Sequence, residues 1–236
     1  MENDLHLRNS RYSVQDGGGT RRVLDIPELF LPGGTLAGIY GDSGSGKTSL
    51  LNLLCGLILP DACQGSELRW GDDDLLAMPE GARDAWRGRH IGMIFQDFQL
   101  FPQLTAMENV LLPATFRHFS IPEDLKDRAR DLLKRLGIRR TSAPAGVFSR
   151  GEQQRVAMAR AVLFRPSVLL ADEPTASLDR SNAQLVTDEL VDLVRSEGCT
   201  LIVVTHEQVL HGRMDRRYRL ERGRLLAGLD DDLKRK

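Results

Sequence analysis

The chain has 236 residues, a length that corresponds to one large domain or to a core with an inserted subdomain. Lysine and arginine number 32 against 33 aspartate and glutamate, so the formal charge of −1 argues against a protein that mainly coats nucleic acid. We therefore expect no nucleic-acid partner. The three cysteines, Cys55, Cys63 and Cys199, show neither CxxC spacing nor histidine partners at zinc spacing, which predicts reduced thiols.

No part of the sequence is apolar over the roughly 20 residues that a membrane span requires. The most apolar run, residues 50–59, is interrupted by Asn52 and Gly56 and ends at Pro60. The acidic N-terminus has no apolar segment behind it, which argues against a secretory signal. Any role at a membrane is therefore expected to come through a partner.

Short apolar runs alternate with helical patterns along the chain. The glycine-rich segment Asp16–Thr20 predicts a hairpin or loop. Four later runs are apolar on both faces, as in parallel strands covered by helices. They are Leu36–Tyr40, Ile91–Phe95, Val168–Ala171 and Leu201–Val204.

The first of these strands runs into a loop that fits the pattern G-x-x-x-x-G-K-[ST]. Glycines let successive N–H groups wrap a polyphosphate, and the following helix adds its positive N-terminal end. Lys47 is expected to reach the β- and γ-phosphates and Thr48 to bind Mg²⁺, whereas the alternative is a glycine turn beside a surface lysine. The pattern predicts nucleotide binding at Gly41, Asp42, Ser43, Gly44, Ser45, Gly46, Lys47, Thr48 and Ser49.

The middle of the chain has helical periodicity. Ser120–Glu123 predicts a capping box that opens a helix ended by Gly137. Ser149–Glu152 predicts a second capping box, and Ser181–Gln184 predicts the start of a third helix. Strands resume near residue 168, so these patterns indicate a helical insertion in an α/β core.

Two acids follow the apolar run at 168–171. A strand that delivers Asp172 beside the phosphate loop would hold Mg²⁺, and Glu173 would polarise an attacking water as a general base. The alternative is an acidic cap after a strand, which is common. Pro174 bends the chain away from the pair.

Several further motifs resemble those of ATP-binding cassette (ABC) ATPases. Phe148–Arg155, hereafter the signature segment, resembles the family's signature, which usually reads Leu-Ser-Gly-Gly followed by Gln or Glu. Gln96 matches the Q-loop glutamine, Ala176–Asp179 the D-loop, and His206 the switch histidine. Tyr12 is placed like the aromatic residue that stacks on adenine. These motifs occur in the family's order and at its spacing, and the resemblance covers nearly the whole chain.

The resemblance implies the fold and its division. We expect a P-loop NTPase (RecA-like) α/β core with a mostly parallel sheet, an N-terminal antiparallel β part and an inserted helical subdomain. The expected bounds are about 1–96 and 161–228 for the nucleotide-binding core, about 97–160 for the helical subdomain, and about 229–236 for a flexible tail.

The resemblance also implies the roles of the site residues. Two copies of the chain would pair head to tail around two ATP-Mg²⁺. The catalytic residues would be Glu173, His206, Lys47 and Gln96, and the metal site would comprise Thr48, Gln96 and Asp172. Ser149, Gly151 and Glu152 would contact nucleotide held by the other copy, and Asp179 would shape the contact between copies.

One residue departs from the family pattern. Arg150 stands where the first signature glycine usually lies. Its side chain would either crowd the neighbouring nucleotide or reach a phosphate. The other site residues are intact, so we expect an active ATPase with an altered rate or dimer affinity.

The resemblance implies that ATP hydrolysis drives a separate membrane permease from the cytoplasmic face of the inner membrane. The segments Ile94–Pro102, Thr105–Val110 and Ala171–Pro174 are similar to those of the lipoprotein-release and macrolide-export branch, which favours export or extrusion. The alternatives are a mechanotransmitting ATPase that regulates a cell-envelope process without transport, and a soluble ABC ATPase. The permease is expected to dock near Asp97–Pro102, Glu108, Val110 and Leu111, with Phe98, Leu100 and Phe101 as an apolar patch.

Overall fold

The computed structural model describes residues 3–227, and the tail predicted at about 229–236 lies outside the described residues. The strands are β1 (Leu5–Asp16), β2 (Gly19–Leu31), β3 (Leu36–Tyr40), β4 (Glu67–Trp70), β5 (Asp73–Asp74), β6 (Ile91–Ile94), β7 (Val168–Asp172), β8 (Thr200–Thr205), β9 (Arg216–Glu221) and β10 (Arg224–Ala227). The helices are α1 (Lys47–Leu54), α2 (Glu80–His90), α3 (Ala106–Thr115), α4 (Glu123–Arg135), α5 (Arg150–Val162) and α6 (Arg180–Glu197).

The strands form two sheets of different kinds. A six-stranded sheet has the order β10-β9-β3-β8-β7-β6, in which only the β10–β9 pair is antiparallel. A four-stranded antiparallel sheet has the order β2-β1-β4-β5. The predicted α/β fold with a mostly parallel sheet and an antiparallel β part is confirmed.

The six-stranded sheet separates two apolar clusters. Alternate side chains of a strand point to opposite faces, so Leu169 lies in the cluster with α3, α4 and α5, while Leu170 lies in the cluster with α1 and the antiparallel sheet. Leu201 and Ile202 divide in the same way. Strands β3, β7 and β8 are therefore buried on both faces, as their continuous apolar sequences indicated, whereas β6 lies at the sheet edge with Ile91 and Met93 only partly buried.

The long hairpin β1–β2 turns at residues 17–18, as the Asp16–Thr20 glycines predicted. Pairing of β1 with both β2 and β4 places β2 at the edge of its sheet. The middle of β2 lies beside β10, and Asp25 N–H donates to the carbonyl of Gly223 at 2.8 Å. This contact joins the two sheets next to the loop between β3 and α1.

Helices α3, α4 and α5 pack against one another between β6 and β7 in sequence. The capping box predicted at Ser149 is confirmed, since Ser149 and Glu152 bond reciprocally. The one predicted at Ser120 is wrong: α4 begins after Pro122, because a proline disfavours helical backbone at the residue before it. The helix predicted to start at Ser181–Gln184 is present as α6, but its cap is Asp179, which accepts the N–H groups of Ser181 and Asn182.

Three arginines of α4 and α5 bind α6. Their guanidinium groups contact two carboxylates and one backbone carbonyl in the carboxyl-terminal half of that helix. The pairs are Arg128 with Glu197 at 2.6 Å, Arg135 with the carbonyl of Asp192 at 3.0 Å, and Arg155 with Glu189 at 2.7 Å. The helical layer formed by α3, α4 and α5 is thereby joined to α6 by charged hydrogen bonds as well as by apolar packing.

The three cysteines are free, as predicted, and Cys55 and Cys199 are buried. Burial raises the pKa of the Cys199 thiol to about 11. Over residues 3–227, no helix combines the length and the apolarity needed to cross a bilayer.

Candidate active site

The loop between β3 and α1, residues 41–46, is shaped by left-handed glycines. Gly44 and Gly46 have φ values of 78° and 104°. A Cβ at Gly46 would lie 3.0 Å from a Leu24 methyl and 3.1 Å from the Val23 carbonyl, so a side chain there would meet both strain and crowding. The loop turns tightly and α1 begins at Lys47 with no side-chain cap. Its first N–H groups therefore remain available to an anion.

The Lys47 ammonium lies inside this loop. Its Nζ donates to the carbonyls of Gly41 at 2.8 Å and Asp42 at 3.1 Å, and lies 3.2 Å from Glu173 Oε1. The Lys47 and Glu173 side chains are each 9% exposed. The carbonyls of Gly41 and Asp42 hold the buried positive charge of Lys47 next to the Glu173 carboxylate.

Asp172 ends β7 beside the start of α1. The Thr48 hydroxyl donates a 2.7 Å hydrogen bond to Asp172 Oδ2. Burial raises the pKa of Asp172, and the neighbouring charge of Glu173 acts in the same direction. A hydroxyl oxygen and a carboxylate oxygen therefore lie together at the edge of the phosphate loop.

Glu173 is the most constrained acid of the site. Its backbone is left-handed, with φ of 47°, which is costly for a residue with a Cβ. Oε2 accepts from the Thr205 hydroxyl at 3.0 Å and from the His206 N–H at 3.2 Å, and lies 2.9 Å from His206 Nδ1. Burial opposes ionisation, but the bonds from His206 and Lys47 outweigh it and lower the pKa of Glu173. The group is therefore a carboxylate near neutral pH.

A cavity of about 300 Å³ opens over these residues. Nine predicted site residues line it: Ser43, Gly44, Gly46, Lys47, Thr48, Ser49, Gln96, Asp172 and Glu173. Arg21 and Val23 of β2 also line it and were missed from sequence. They belong to no short motif, and only the register of the hairpin brings them to the loop.

A second cavity of about 590 Å³ lies on the other side of the loop. It is lined by Asp42 to Ser45 and by the β9–β10 hairpin. At the hairpin tip, Gly223 N–H donates to the Ser45 carbonyl at 3.0 Å, and a Cβ there would lie 2.1 Å from the Val23 carbonyl. Gly223 thus connects the phosphate loop to β2, and sequence reasoning missed this residue as well.

Gln96 begins an irregular segment that leads from β6 to α3. Phe98 and Gln99 are both left-handed, with φ of 58° and 50°. Arg160 of α5 donates to both of their carbonyls, and burial lowers its pKa. The Arg150 guanidinium lies 5.8 Å from the centre of the Phe98 ring. The helix that carries the signature segment therefore holds the Gln96 segment in place.

The permease-docking surface predicted from sequence is partly wrong. Val110, Leu111 and Phe98 are 0%, 7% and 4% exposed, because the helical layer packs them inward. A groove of about 620 Å³ lies instead between α2 and β6 on one side and the ends of α3 and α5 on the other. Its lining includes Phe95, Gln99, Leu112, Phe116 and Phe164.

The N-terminus of α5 lies apart from the phosphate loop. Ser149 Oγ accepts from Glu152 N–H at 3.3 Å and donates to Glu152 Oε2 at 3.0 Å. Bonding to the Ser149 N–H lowers the pKa of Glu152. Gly151 faces Asn182 of α6. None of the three signature residues is among those that line the loop cavity in the described chain.

Asp179, His206 and Tyr12 take three different positions. Asp179 caps α6, and bonds from Ser181 and Asn182 lower its pKa strongly. The His206 side chain is 58% exposed and contacts Glu173. Tyr12 lies in β1, packs against the apolar cluster of the antiparallel sheet and is not among the residues lining the loop cavity.

A phosphate loop on a parallel sheet, two adjoining carboxylates and a separate capped helix define an ATP-binding cassette. The family described as ABC transporter matches residues 24–176, and the chain belongs to this family. It is the ATP-binding and ATP-hydrolysing subunit of a transporter, which confirms the predicted resemblance.

Individual relatives cover nearly the whole chain. The lipoprotein-releasing system ATP-binding protein LolD 1 of Caulobacter vibrioides is 39% identical over 98% of this chain and 98% of its own length. The uncharacterised ABC transporter ATP-binding protein YbbA of Escherichia coli K12 is 42% identical over 95% of this chain and 97% of its own length. A solved dimeric structure of a post-hydrolysis state of the cassette MJ0796, bound to ADP and Pi, matches with a TM-score of 0.82 at 30% identity, covering 94% of this chain and 98% of that one.

Proposed function

We propose that the residues around the loop cavity hold ATP and hydrolyse it. The supporting observation is that Lys47, Thr48, Asp172, Glu173 and Gln96 meet at one cavity although they come from distant parts of the sequence. The loop N–H groups and Lys47 would bind the phosphates. Glu173 would polarise the attacking water as a general base, and its lowered pKa keeps it ionised for that task.

Mg²⁺ fits the same place. Thr48 Oγ1 and Asp172 Oδ2 are 2.7 Å apart, and hydroxyl and carboxylate oxygens are ligands that Mg²⁺ prefers. With Gln96, they would hold the ion, directly or through water. When bound, Mg²⁺ supplies charge that stabilises the phosphoryl transition state.

His206 has a position suited to the same reaction. Its exposed ring contacts Glu173 and its N–H bonds the same carboxylate, so the residue would orient the base. Tyr12 would stack on adenine, a role that requires ATP to extend from the loop toward β1.

We propose a head-to-tail homodimer around two ATP molecules. Ser149, Gly151 and Glu152 lie away from the loop cavity of their own chain, which fits contact with nucleotide held by a second copy. Asp179 at the start of α6 would shape that contact. MJ0796, a structural match of this chain, has been solved as a dimer.

The work done by ATP is proposed to be export or extrusion through a separate permease at the cytoplasmic face of the inner membrane. The similarity to a lipoprotein-releasing ATP-binding protein supports this branch. The permease would dock in the groove lined by Phe95, Leu112 and Phe116. This groove separates the proposed core, about 1–96 and 161–228, from the proposed helical subdomain, about 97–160.

The test is purification of the Glu173→Gln protein from solubilised membranes of its source, with ATP and Mg²⁺ present. Loss of the base should lower turnover by about 10²-fold or more while ATP binding is retained. The closed dimer should then retain one polytopic membrane protein in near-equal amount. Glu80→Gln, an exposed acid of α2, is the matched control and should hydrolyse ATP normally.

Two results would contradict the proposal. Full turnover in the Glu173→Gln protein would remove Glu173 from the chemistry. Recovery of soluble proteins or nucleic acid alone would overturn the permease partner and favour a soluble ABC ATPase.

A further inference from the structure

Gln154 of α5 is a buried polar residue that the proposed chemistry does not use. It is 0% exposed, and its Nε2 donates a 2.7 Å hydrogen bond to the Pro174 carbonyl. Within the part of the chain that the structure describes, its Oε1 has no hydrogen-bond partner. A buried amide with an unsatisfied atom costs stability that an apolar side chain of equal volume would avoid. Packing alone therefore does not account for an amide here.

Pro174 belongs to a tight turn that carries the proposed base. Ala176 N–H donates to the Glu173 carbonyl at 3.2 Å, which closes the turn with Pro174 at its second position. The Thr175 hydroxyl donates to the Glu207 carboxylate from the segment after β8. The turn is therefore held by Gln154 from α5 and by Glu207 from the other side.

The backbone of this turn has little freedom to absorb movement. The pyrrolidine ring fixes φ at Pro174. Glu173 is already in a left-handed conformation that only its surroundings maintain. A displacement of the Pro174 carbonyl is consequently passed to the preceding residue, whose carboxylate faces the loop cavity.

We propose that Gln154 is a positioning residue that couples the two ATP sites of the dimer through a single chain. The inference rests on the proposed head-to-tail dimer. Ser149 would contact ATP held by the other copy, whereas Glu173 acts on ATP held by its own loop. Gln154 lies five residues after Ser149 on α5, about 7.5 Å along the axis. Movement of α5 against the other copy's nucleotide reaches Glu173 through the Gln154–Pro174 bond.

Mixed dimers with one active site test this coupling. The two chains carry different affinity tags, and Glu173→Gln inactivates one site. In the first pairing, a Gln154→Met chain joins a Glu173→Gln chain. The active site then uses Glu173 of the Gln154→Met chain and the unaltered signature segment of the other. We expect kcat to fall roughly tenfold or more relative to a wild-type chain paired with Glu173→Gln, with an unchanged KM for ATP.

The second pairing is the matched control. One chain carries Gln154→Met and Glu173→Gln together, and its partner is wild type. The active site now uses an intact Glu173 and the signature segment of the double variant. We expect kcat within about twofold of the same reference, because the turn around the working base keeps its bond.

Gln154→Asn provides a second variant. It keeps the amide but is one methylene too short to reach the Pro174 carbonyl. In the first pairing it should therefore lower kcat as Gln154→Met does. The coupling role of Gln154 would be overturned if kcat fell in the second pairing alone, fell equally in both pairings, or did not fall in either. If the Glu173→Gln chain forms no ATP-dependent dimer in gel filtration, the proposed dimer itself fails, and this result is distinct from a loss of coupling within a dimer that forms.

Discussion

Two helices of this cassette begin in opposite ways. Helix α1 starts at Lys47 after Gly46, with no side-chain cap, so its first N–H groups face the loop cavity. Helix α5 starts after Ser149, whose capping box with Glu152 uses the chain's own side chains. An uncapped N-terminus is available to a polyphosphate, whereas a capped one offers mainly an oriented hydroxyl. The first site is assembled within one chain, and the second acquires a ligand only from outside it.

The largest expected effect comes from Ser149→Asp. In the proposed dimer the new carboxylate would meet the other copy's γ-phosphate, so turnover should fall by about 10²-fold or more. Thr105→Asp is the matched control, because Thr105 and Glu108 form the same capping box on α3. Both variants should change thermal stability little, because aspartate caps a helix N-terminus about as well as serine or threonine.

Turnover lost equally in both variants would show that capping alone matters at Ser149. Normal turnover in the Ser149→Asp protein would contradict its proposed place beside a phosphate. ATP hydrolysis and thermal unfolding, measured on the same preparations, separate these outcomes.

Gly223→Ala should have the next largest effect, on ATP binding by the phosphate loop before α1. The new Cβ would lie 2.1 Å from the Val23 carbonyl and would displace the hairpin tip from Ser45, so ATP affinity should fall about tenfold. Gly198→Ala is the control, since Gly198 is also left-handed, with φ of 68°, but its Cβ would meet nothing within 4 Å. ATP titration should distinguish the two, and equal affinities would remove Gly223 from loop positioning.

Thr205→Val probes the pH dependence of the same side. The Thr205 hydroxyl bonds Glu173 Oε2, and its removal should raise the pKa of Glu173. The base would then become protonated at a higher pH, so the acid limb of kcat should move upward in pH. Thr187→Val is the control, because this buried hydroxyl has no hydrogen-bond partner among residues 3–227. An unmoved acid limb in Thr205→Val would contradict Glu173 as the titrating base.

Arg150→Gly should have the smallest effect. The Arg150 guanidinium lies over Phe98 of its own chain, so we expect ATP-dependent dimerisation to change by no more than about twofold. Arg180→Gly, at the corresponding first position of α6, is the control for the lower helix propensity of glycine. Marked strengthening of the Arg150→Gly dimer, measured by sedimentation, would instead show that the arginine crowds the neighbouring nucleotide.

The sequence predicted best where chemistry and spacing coincide. The phosphate-loop pattern, the strand ending in Asp172 and the Ser149 capping box are each local, so a short window contains the whole signal. Val110 and Leu111 were predicted at a docking surface because a resemblance locates a surface more coarsely than individual side chains.

The residues that were missed depend on long-range pairing. Arg21 and Val23 reach the cavity through the register of a hairpin, and Gly223 through a contact between distant strands. The start of α6 was predicted to within one residue, but its cap was not, because two polar residues compete for this helix end and the side chain of Asp179 accepts the free N–H groups.

The three arginine contacts to α6 have a consequence for how the protein unfolds. Arg128, Arg135 and Arg155 join α4 and α5 to a helix that also packs beneath β7 and β8. Breaking a half-buried ion pair leaves an unmatched charge, so α6 cannot open cheaply while the other two helices stay folded. In native-state hydrogen exchange, α4, α5 and α6 should therefore exchange as one cooperative unit, whatever moves within the dimer.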